Sequence, residues 1–183
     1  MDRMDALHLL KEYNKNESLL KHAYAVEAVM RHFAELAGED QDYWGNIGLL
    51  HDLDYERYPD EHCMMTEKIL KEKNVSADII RAIMSHGYGI CTDVVPERYM
   101  EKVLYTIDEL TGLVTATVLM RPDKSIEGLE VKSVVKKFKT AKFAAGVNRS
   151  VILDGCQMID MALDQVIDET IKGMRKSASE IGL

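Results

Sequence analysis

The sequence predicts an all-α protein. Its three prolines, at positions 59, 96 and 122, leave long stretches in which apolar residues recur at helical spacing. Strand signals are almost absent, because the β-branched pairs Val94-Val95 and Val134-Val135 are too short or lie within helical pattern. With 183 residues, 46% of them hydrophobic, the chain is expected to form one domain, residues 1–183, with a sizeable core.

The first 90 residues predict five helices, each with one apolar face. Gly38 suits the C-cap of the second and longest of them, and the third ends at the adjacent pair His51-Asp52. The segment 54–60 is expected to be a loop, and Gly87 opens another. The predicted helices cover about 5–13, 17–37, 40–50, 61–73 and 76–86.

The second half of the chain predicts the longest helix and a C-terminal helical extension. The long helix covers about 97–120, begins after Pro96 and has an apolar body that only Asp108 interrupts. The segment 121–125, which contains Pro122, is the clearest break in the chain. It separates a core, about 16–120, from a C-terminal appendage, about 126–176, in which we expect one helix through Val131 to Phe138 and a last helix over about 153–176.

Six side chains of metal-binding types lie in or beside these apolar patterns. Imidazole and carboxylate together suit a divalent metal of intermediate hardness. Asp108 is the most telling, because a carboxylate in so apolar a helix costs on the order of several kcal/mol unless it is paired or binds a metal. A single histidine beside an apolar face is more often a hydrogen-bonded structural residue, and the spacing alone does not bring the six together. They are His22, His51, Asp52, His62, His86 and Asp108.

The order of these residues resembles the HD-domain superfamily of metal-dependent phosphohydrolases. His22, the pair His51-Asp52 and Asp108 match its four-ligand set, while His62 and His86 match the extra histidines of binuclear members. The resemblance covers roughly residues 16–120 and implies an HD-type helical bundle. Within the superfamily the chain looks like the small HDIG-type hydrolases, although Leu53-Asp54 stands where that name has Ile-Gly.

The resemblance implies a metal-dependent hydrolase that cleaves a phosphomonoester or phosphodiester with metal-activated water. The cofactor would be one or two divalent transition-metal ions, either Fe, Mn, Co, Ni or Zn, and Asp52 would bridge them. Glu61 and Glu109, beside His62 and Asp108, are candidate catalytic residues that would orient water or ligands. Two alternatives stay open: a di-iron oxygenase of the same fold, and a non-catalytic HD signalling module, which would typically have lost its ligands.

The expected partner is a small phosphorylated or nucleotide-like substrate. Arg57 and Tyr58 follow the His-Asp pair closely enough to line a pocket mouth, and a basic segment later in the chain would suit phosphates. The helical pattern equally places most of that segment on a solvated face. The candidate substrate-binding residues are Arg57, Tyr58, Arg121, Lys136, Lys137 and Lys142.

Composition narrows the setting in which the chain works. A net charge of −8 argues against a broad nucleic-acid surface. No apolar run approaches the ~20 residues of a membrane span, and the N-terminus lacks the order of a secretion signal, so a cytoplasmic protein is expected. Cys63, Cys91 and Cys156 are odd in number and are predicted to be reduced, mostly structural thiols. The oligomeric state does not follow from these features.

Overall fold

The computed structural model describes residues 1–183 and contains ten α-helices, two short 3₁₀ turns and no β-strand. The prediction of an all-α fold is therefore confirmed. The 3₁₀ turns are Pro59–Glu61 and Ser85–Gly87. The helices are α1 (Arg3–Tyr13), α2 (Glu17–Ala37), α3 (Gln41–Leu50), α4 (Met64–Glu72), α5 (Ala77–Met84), α6 (Tyr99–Leu119), α7 (Val131–Phe138), α8 (Arg149–Met158), α9 (Leu163–Arg175) and α10 (Ala178–Ile181).

Short polar side chains fix where several helices begin. Asn16, Asp40 and Asn148 each accept hydrogen bonds from two backbone N–H groups in the first turn of α2, α3 and α8. These N–H groups have no partner within the helix, so the caps stabilise the helix starts. Gly38 ends α2 in the left-handed conformation, with φ of 70°, as its sequence position predicts.

The two 21-residue helices α2 and α6 form the centre of the molecule. α3 and α9 pack against α2, and α8 packs against α6. Two of these contacts require a glycine, because the helices approach each other closely. A Cβ at Gly173 of α9 would lie 2.9 Å from the Cα of Val29, and a Cβ at Gly155 of α8 would lie 2.9 Å from the Cα of Thr106.

The C-terminal helices share one hydrophobic core with the rest of the chain. A cluster of 41 buried hydrophobic residues extends from Ala6 in α1 to Ile181 in α10. The segment after α6 is also tied down by polar contacts, since Arg175 of α9 donates to the carbonyls of Ile126 and Leu129. These contacts support the prediction of a single domain, which stays a prediction. No helix is long and apolar enough to cross a membrane.

Two predicted helices differ from the structure by more than about two residues. The helix expected over about 153–176 is two helices, because Asp160 adopts a left-handed φ of 54° and the N–H of Met161 returns to the carbonyl of Cys156. This is the hydrogen-bond pattern that usually ends a helix at glycine, here without one. The helix expected from residue 61 begins at Met64, because Cys63 has a φ of 69°. His62 therefore lies before α4, not in its first turn.

Candidate metal centre

Four of the predicted ligands converge where α2, α3 and α6 meet. The Nε2 atom of His22 lies 3.2 Å from the Nε2 of His51 and 2.9 Å from an oxygen of Asp108, and the His51 nitrogen lies 3.2 Å from that same oxygen. One oxygen of Asp52, Oδ2, lies 3.7 Å from His22 and 3.4 Å from His51. Donors about 2.1 Å from one ion lie roughly 3.0–3.4 Å apart in octahedral or tetrahedral geometry. The four residues fit one metal ion.

A second group of donors faces the other oxygen of Asp52. The Oδ1 atom of Asp52 lies 3.5 Å from the Nε2 of His62 and 3.5 Å from the Nε2 of His86, and these two nitrogens are 3.3 Å apart. Asp52 thus presents one oxygen to each group. This is the arrangement of a carboxylate that bridges two ions, so the residues also fit a second metal.

Hydrogen bonds on the far side of three rings fix which nitrogen faces the centre. The Nδ1 of His51 donates to the carbonyl of Gly48 at 2.7 Å, and the Nδ1 of His86 donates to the carbonyl of Ile83 at 2.6 Å. In each case the acceptor is a backbone carbonyl three residues earlier. Such bonds hold the ring and leave the lone pair on Nε2 free for a metal.

Asp54 provides the third of these hydrogen bonds, and the sequence analysis did not assign it a role. Its Oδ1 accepts from the Nδ1 of His62 at 2.8 Å, and its Oδ2 accepts from the backbone N–H of Thr66 at 2.8 Å. The residue is completely buried. A buried carboxylate that orients a metal-binding histidine acts on the metal indirectly, by holding its ligand. The sign of this role in the sequence was that Asp54 stands where the HDIG pattern has a glycine.

The charges of the first group support one another. Burial alone lowers the pKa of His51, but the carboxylates of Asp52 and Asp108 outweigh it and hold that pKa well above its ordinary value. Burial alone raises the pKa of Asp108, but His51 and His22 outweigh it and keep that pKa well below its usual range. The pKa of Asp52 is lowered in the same way, mainly by His51. Both carboxylates are therefore ionised at neutral pH, as metal ligands must be, and His51 would release its proton when a metal binds.

Comparison with known proteins agrees with this geometry. The family model described as "HD domain" matches residues 19–114, which is more than half of the chain and contains all six candidate ligands. The chain belongs to the HD-domain family. No solved structure matches it.

A curated relative of this HD-domain protein carries a different activity in its name. The tRNA (cytidine(56)-2'-O)-methyltransferase of Picrophilus torridus is 27% identical over 125 residues. The match covers 61% of this chain but 37% of the relative, so the HD-domain protein corresponds to well under two thirds of that relative's length.

Two cysteines lie beside the second group of ligands. The Sγ atoms of Cys63 and Cys91 are 2.9 Å apart, and both thiols are free. Their hydrogen bond lowers the pKa of Cys91 to about 6 and raises that of Cys63. Cys63 is buried and forms a possible ligand group with His62 and His86, whereas Cys91 lines the cleft above them. The sequence, in which the two thiols are 28 positions apart, gave no sign of this pairing.

The metal centre opens into a cleft of about 290 Å³. Five of the six candidate ligands line it, and the sixth, His51, lies buried behind them. Glu109 also lines the cleft, where burial raises its pKa and its Oε2 accepts from the backbone N–H of Asn148 at 3.0 Å. Three aliphatic residues, Ile90, Val147 and Val151, also line the cleft and form its apolar wall. No lysine or arginine lines the cleft.

The structure places the other predicted site residues elsewhere. Glu61 is exposed and does not line the cleft. Arg57 donates to the carbonyl of Glu12 and lies over the ring of Tyr13, 4.8 Å from its centre. Tyr55, which also follows the His-Asp pair closely in the sequence, lies in the cleft, with its ring against that of His62.

The basic residues predicted to hold phosphates also point to other partners. Arg121 forms an ion pair with Asp123 at 2.8 Å, and the Nζ of Lys137 lies 4.5 Å from the centre of the Phe143 ring. The solvated-face alternative for the lysine-rich segment therefore fits the structure better than a substrate-binding role. None of the six predicted substrate-binding residues lines the cleft: Arg57, Tyr58, Arg121, Lys136, Lys137 and Lys142.

Proposed function

We propose that this HD-domain protein is a metal-dependent phosphohydrolase that cleaves a small phosphoester. The observation that carries the proposal is the position of Asp52, whose two oxygens each face a different set of imidazole nitrogens. Two ions held in this way would bind the phosphoryl oxygens and lower the pKa of a water molecule. The divalent metals Fe, Mn, Co, Ni and Zn all suit such mixed ligands.

The chain's own residues supply position and charge. The ring of His51 is held by Gly48 and that of His86 by Ile83, so the ligand atoms need little reorganisation when a substrate arrives. Glu109 extends its carboxylate into the same cleft, next to Asp108, where it is placed to hold a water molecule for attack. Glu61, the other predicted catalytic residue, has no such position.

The likeness to a tRNA methyltransferase does not extend the proposal to tRNA. The match leaves most of that relative uncovered, and the cleft here contains three carboxylates and no lysine or arginine. Proteins that bind tRNA or other nucleic acids use basic surfaces to meet the phosphates. A small substrate whose phosphoryl group is held by the metals fits this chain better.

The test begins with metal content. His51→Ala and Asp52→Ala, purified without oxygen and reloaded with manganese, are expected to lose bound metal and phosphate release while keeping a helical circular-dichroism spectrum. His86→Ala is expected to lose one ion of two. His8→Ala is the matched control, because His8 is exposed and lies outside the centre.

Two results would contradict the proposal. Full metal content in both the His51 and Asp52 variants would remove the metal centre. Oxygen uptake by the iron-loaded protein with an organic substrate, without phosphate release from any phosphoester, would instead establish the oxygenase alternative.

A further inference from the structure

We infer that the cleft selects phosphoesters with a single phosphoryl group and an uncharged, partly apolar leaving group. This inference rests on the proposed phosphohydrolase function and names its substrate class. Two independent features of the cleft lead to it: the absence of any lysine or arginine from its lining, and the apolar wall of Ile90, Val147 and Val151.

The charges in the cleft leave no surplus for a second phosphate. Two divalent ions would carry four positive charges, and the carboxylates of Asp52, Asp108 and Glu109 offset up to three of them. The dianion of one phosphate monoester is enough to neutralise what remains. Each further phosphate or carboxylate on a substrate would meet Glu109 and no lysine or arginine. Because like charges in a partly desolvated cleft repel strongly, polyphosphates are disfavoured here.

A cation does lie nearby, but in a different groove. Lys21 lines a neighbouring cavity between α2 and α6, together with Ser18 and Thr115. That cavity shares only His22 and Gly112 with the metal cleft. A substrate would have to extend past these two residues before a second anionic group could reach the ammonium of Lys21.

The cleft also offers apolar surface to a ligand. Ile90 is 61% exposed, and Val147 and Val151 line the same cleft. Aliphatic side chains in one cleft with a set of histidines and carboxylates would pack against the organic part of an ester, and they would exclude water from the reacting group. The cleft of about 290 Å³ lies at the small end of ligand sites, roughly 300–1,000 Å³, so this part is about the size of one ring.

Part of the wall is preformed. Arg149 donates hydrogen bonds to the carbonyls of Phe143, Ala144 and Val147, and so fixes the turn that carries Val147 and leads into α8, which carries Val151. Glu109 anchors the same turn through the N–H of Asn148. The guanidinium of Arg149 is thereby committed to backbone carbonyls, and it is not among the groups that line the cleft.

The test uses three phosphonates, which a hydrolase binds without cleaving, on manganese-loaded protein with both ions present. Methylphosphonate carries the phosphoryl group alone, benzylphosphonate adds one ring, and 4-(phosphonomethyl)benzoate adds a negative charge to that ring. Calorimetry is expected to show benzylphosphonate binding roughly tenfold more tightly than methylphosphonate, because the ring is buried against the wall. The added carboxylate is expected to reverse most of that gain.

A pair of matched variants locates the effect. Ile90→Asn is expected to weaken benzylphosphonate several-fold and leave methylphosphonate unchanged. Leu153→Asn changes a comparably exposed aliphatic residue, 43% exposed, that does not line the cleft. It is expected to alter neither affinity. Because both residues are exposed, both variants should fold, and thermal melting checks this.

The possible outcomes distinguish a failure of the proposed selectivity from a failure of the proposed phosphohydrolase function. Equal affinity for methyl- and benzylphosphonate, unaffected by Ile90→Asn, would overturn the selectivity and leave the phosphohydrolase standing. Suppose instead that 4-(phosphonomethyl)benzoate binds more tightly than benzylphosphonate and that Lys21→Ala abolishes the difference. This result would overturn the selectivity in favour of a substrate with two anionic groups that spans both cavities. No binding of any phosphonate by protein that retains both ions would overturn the selectivity and the phosphohydrolase together.

Discussion

Replacing Asp54 by Asn tests whether the second metal site depends on the carboxylate behind His62. The two oxygens of Asp54 accept from two donors, the Nδ1 of His62 and the N–H of Thr66. An asparagine offers one oxygen and one NH₂ group, so one of the two donors would face another donor. We therefore expect the variant to weaken or lose the hydrogen bond that orients His62, the hydrogen bond from Thr66, or both.

The size of the effect follows from the contacts. Loss of a hydrogen-bonded carboxylate behind a ligating histidine typically weakens metal binding about 10–100-fold, which corresponds to about 1.4–2.7 kcal/mol. Because Asp54 is completely buried, the unpaired donor adds about 1–3 kcal/mol of destabilisation. The first site should keep its affinity, since its hydrogen bond from His51 to Gly48 does not involve Asp54.

The assay is a manganese titration against a chromophoric chelator, analysed for two sites, with urea unfolding measured in parallel. Asp60→Asn is the control, because Asp60 is an exposed acid in the same turn. Wild-type affinity for the second ion in Asp54→Asn would refute the reasoning. Equal weakening of both ions would refute it too, since the two sites would then not be separately supported.

Three further predictions follow from other parts of the structure. Gly155→Ala should destabilise the protein by about 1–2 kcal/mol in urea unfolding, because the new Cβ would lie 2.2 Å from the Oγ1 of Thr106; Gly112→Ala, with its nearest contact at 3.8 Å, is the control. Glu169→Gln should lower the free energy of unfolding by about 1 kcal/mol near pH 7, because a neutral amide oxygen accepts a weaker hydrogen bond from His32 than the carboxylate does. Burial alone raises the pKa of Glu169, but a neighbouring lysine and His32 lower it on balance. The ionised Glu169 therefore contributes its full stabilisation above pH 4.5, the pKa of the unfolded chain. The difference in unfolding free energy between wild type and variant should shrink as the pH falls below that value. The last prediction replaces Lys136, Lys137 and Lys142 by alanine. The KM for a phosphoester should stay within about twofold of the wild-type value, because charges outside the cleft contribute little. A larger rise in KM would indicate that these lysines do bind the substrate.

The sequence predicted the helices well where apolar periodicity and capping residues agreed. α2, with Asn16 before it and Gly38 after it, was predicted to the residue. The errors fall where a non-glycine residue takes a left-handed conformation, at Cys63 and Asp160. A positive φ is uncommon for any residue other than glycine, so apolar periodicity gives no sign of it.

The residues of the candidate site could likewise be predicted from the sequence only in part. All six candidate ligands could be named because ligand chemistry restricts the residue types. Asp54 and the cleft wall could not, because an outer carboxylate and an aliphatic wall use residues that occur throughout the sequence. The substrate-binding role of the basic segment stays a prediction: the helical pattern already placed most of the segment on a solvated face, and none of its lysines lines the cleft.

The two metal sites are supported in physically different ways, and this predicts the order in which they fill. The first site takes His22 from α2, His51 from the C-terminal cap of α3 and Asp108 from α6, and His51 has no exposed surface. The second site takes His62 from just after one 3₁₀ turn and His86 from within the other, and the residue after His62 has a φ of 69°. Ligands on short turns open locally more easily than ligands on core helices. The ion in the first site should therefore bind more tightly and leave last during dialysis against a chelator. Simultaneous loss of both ions would contradict this order, and would show that the shared ligand Asp52 couples the two sites.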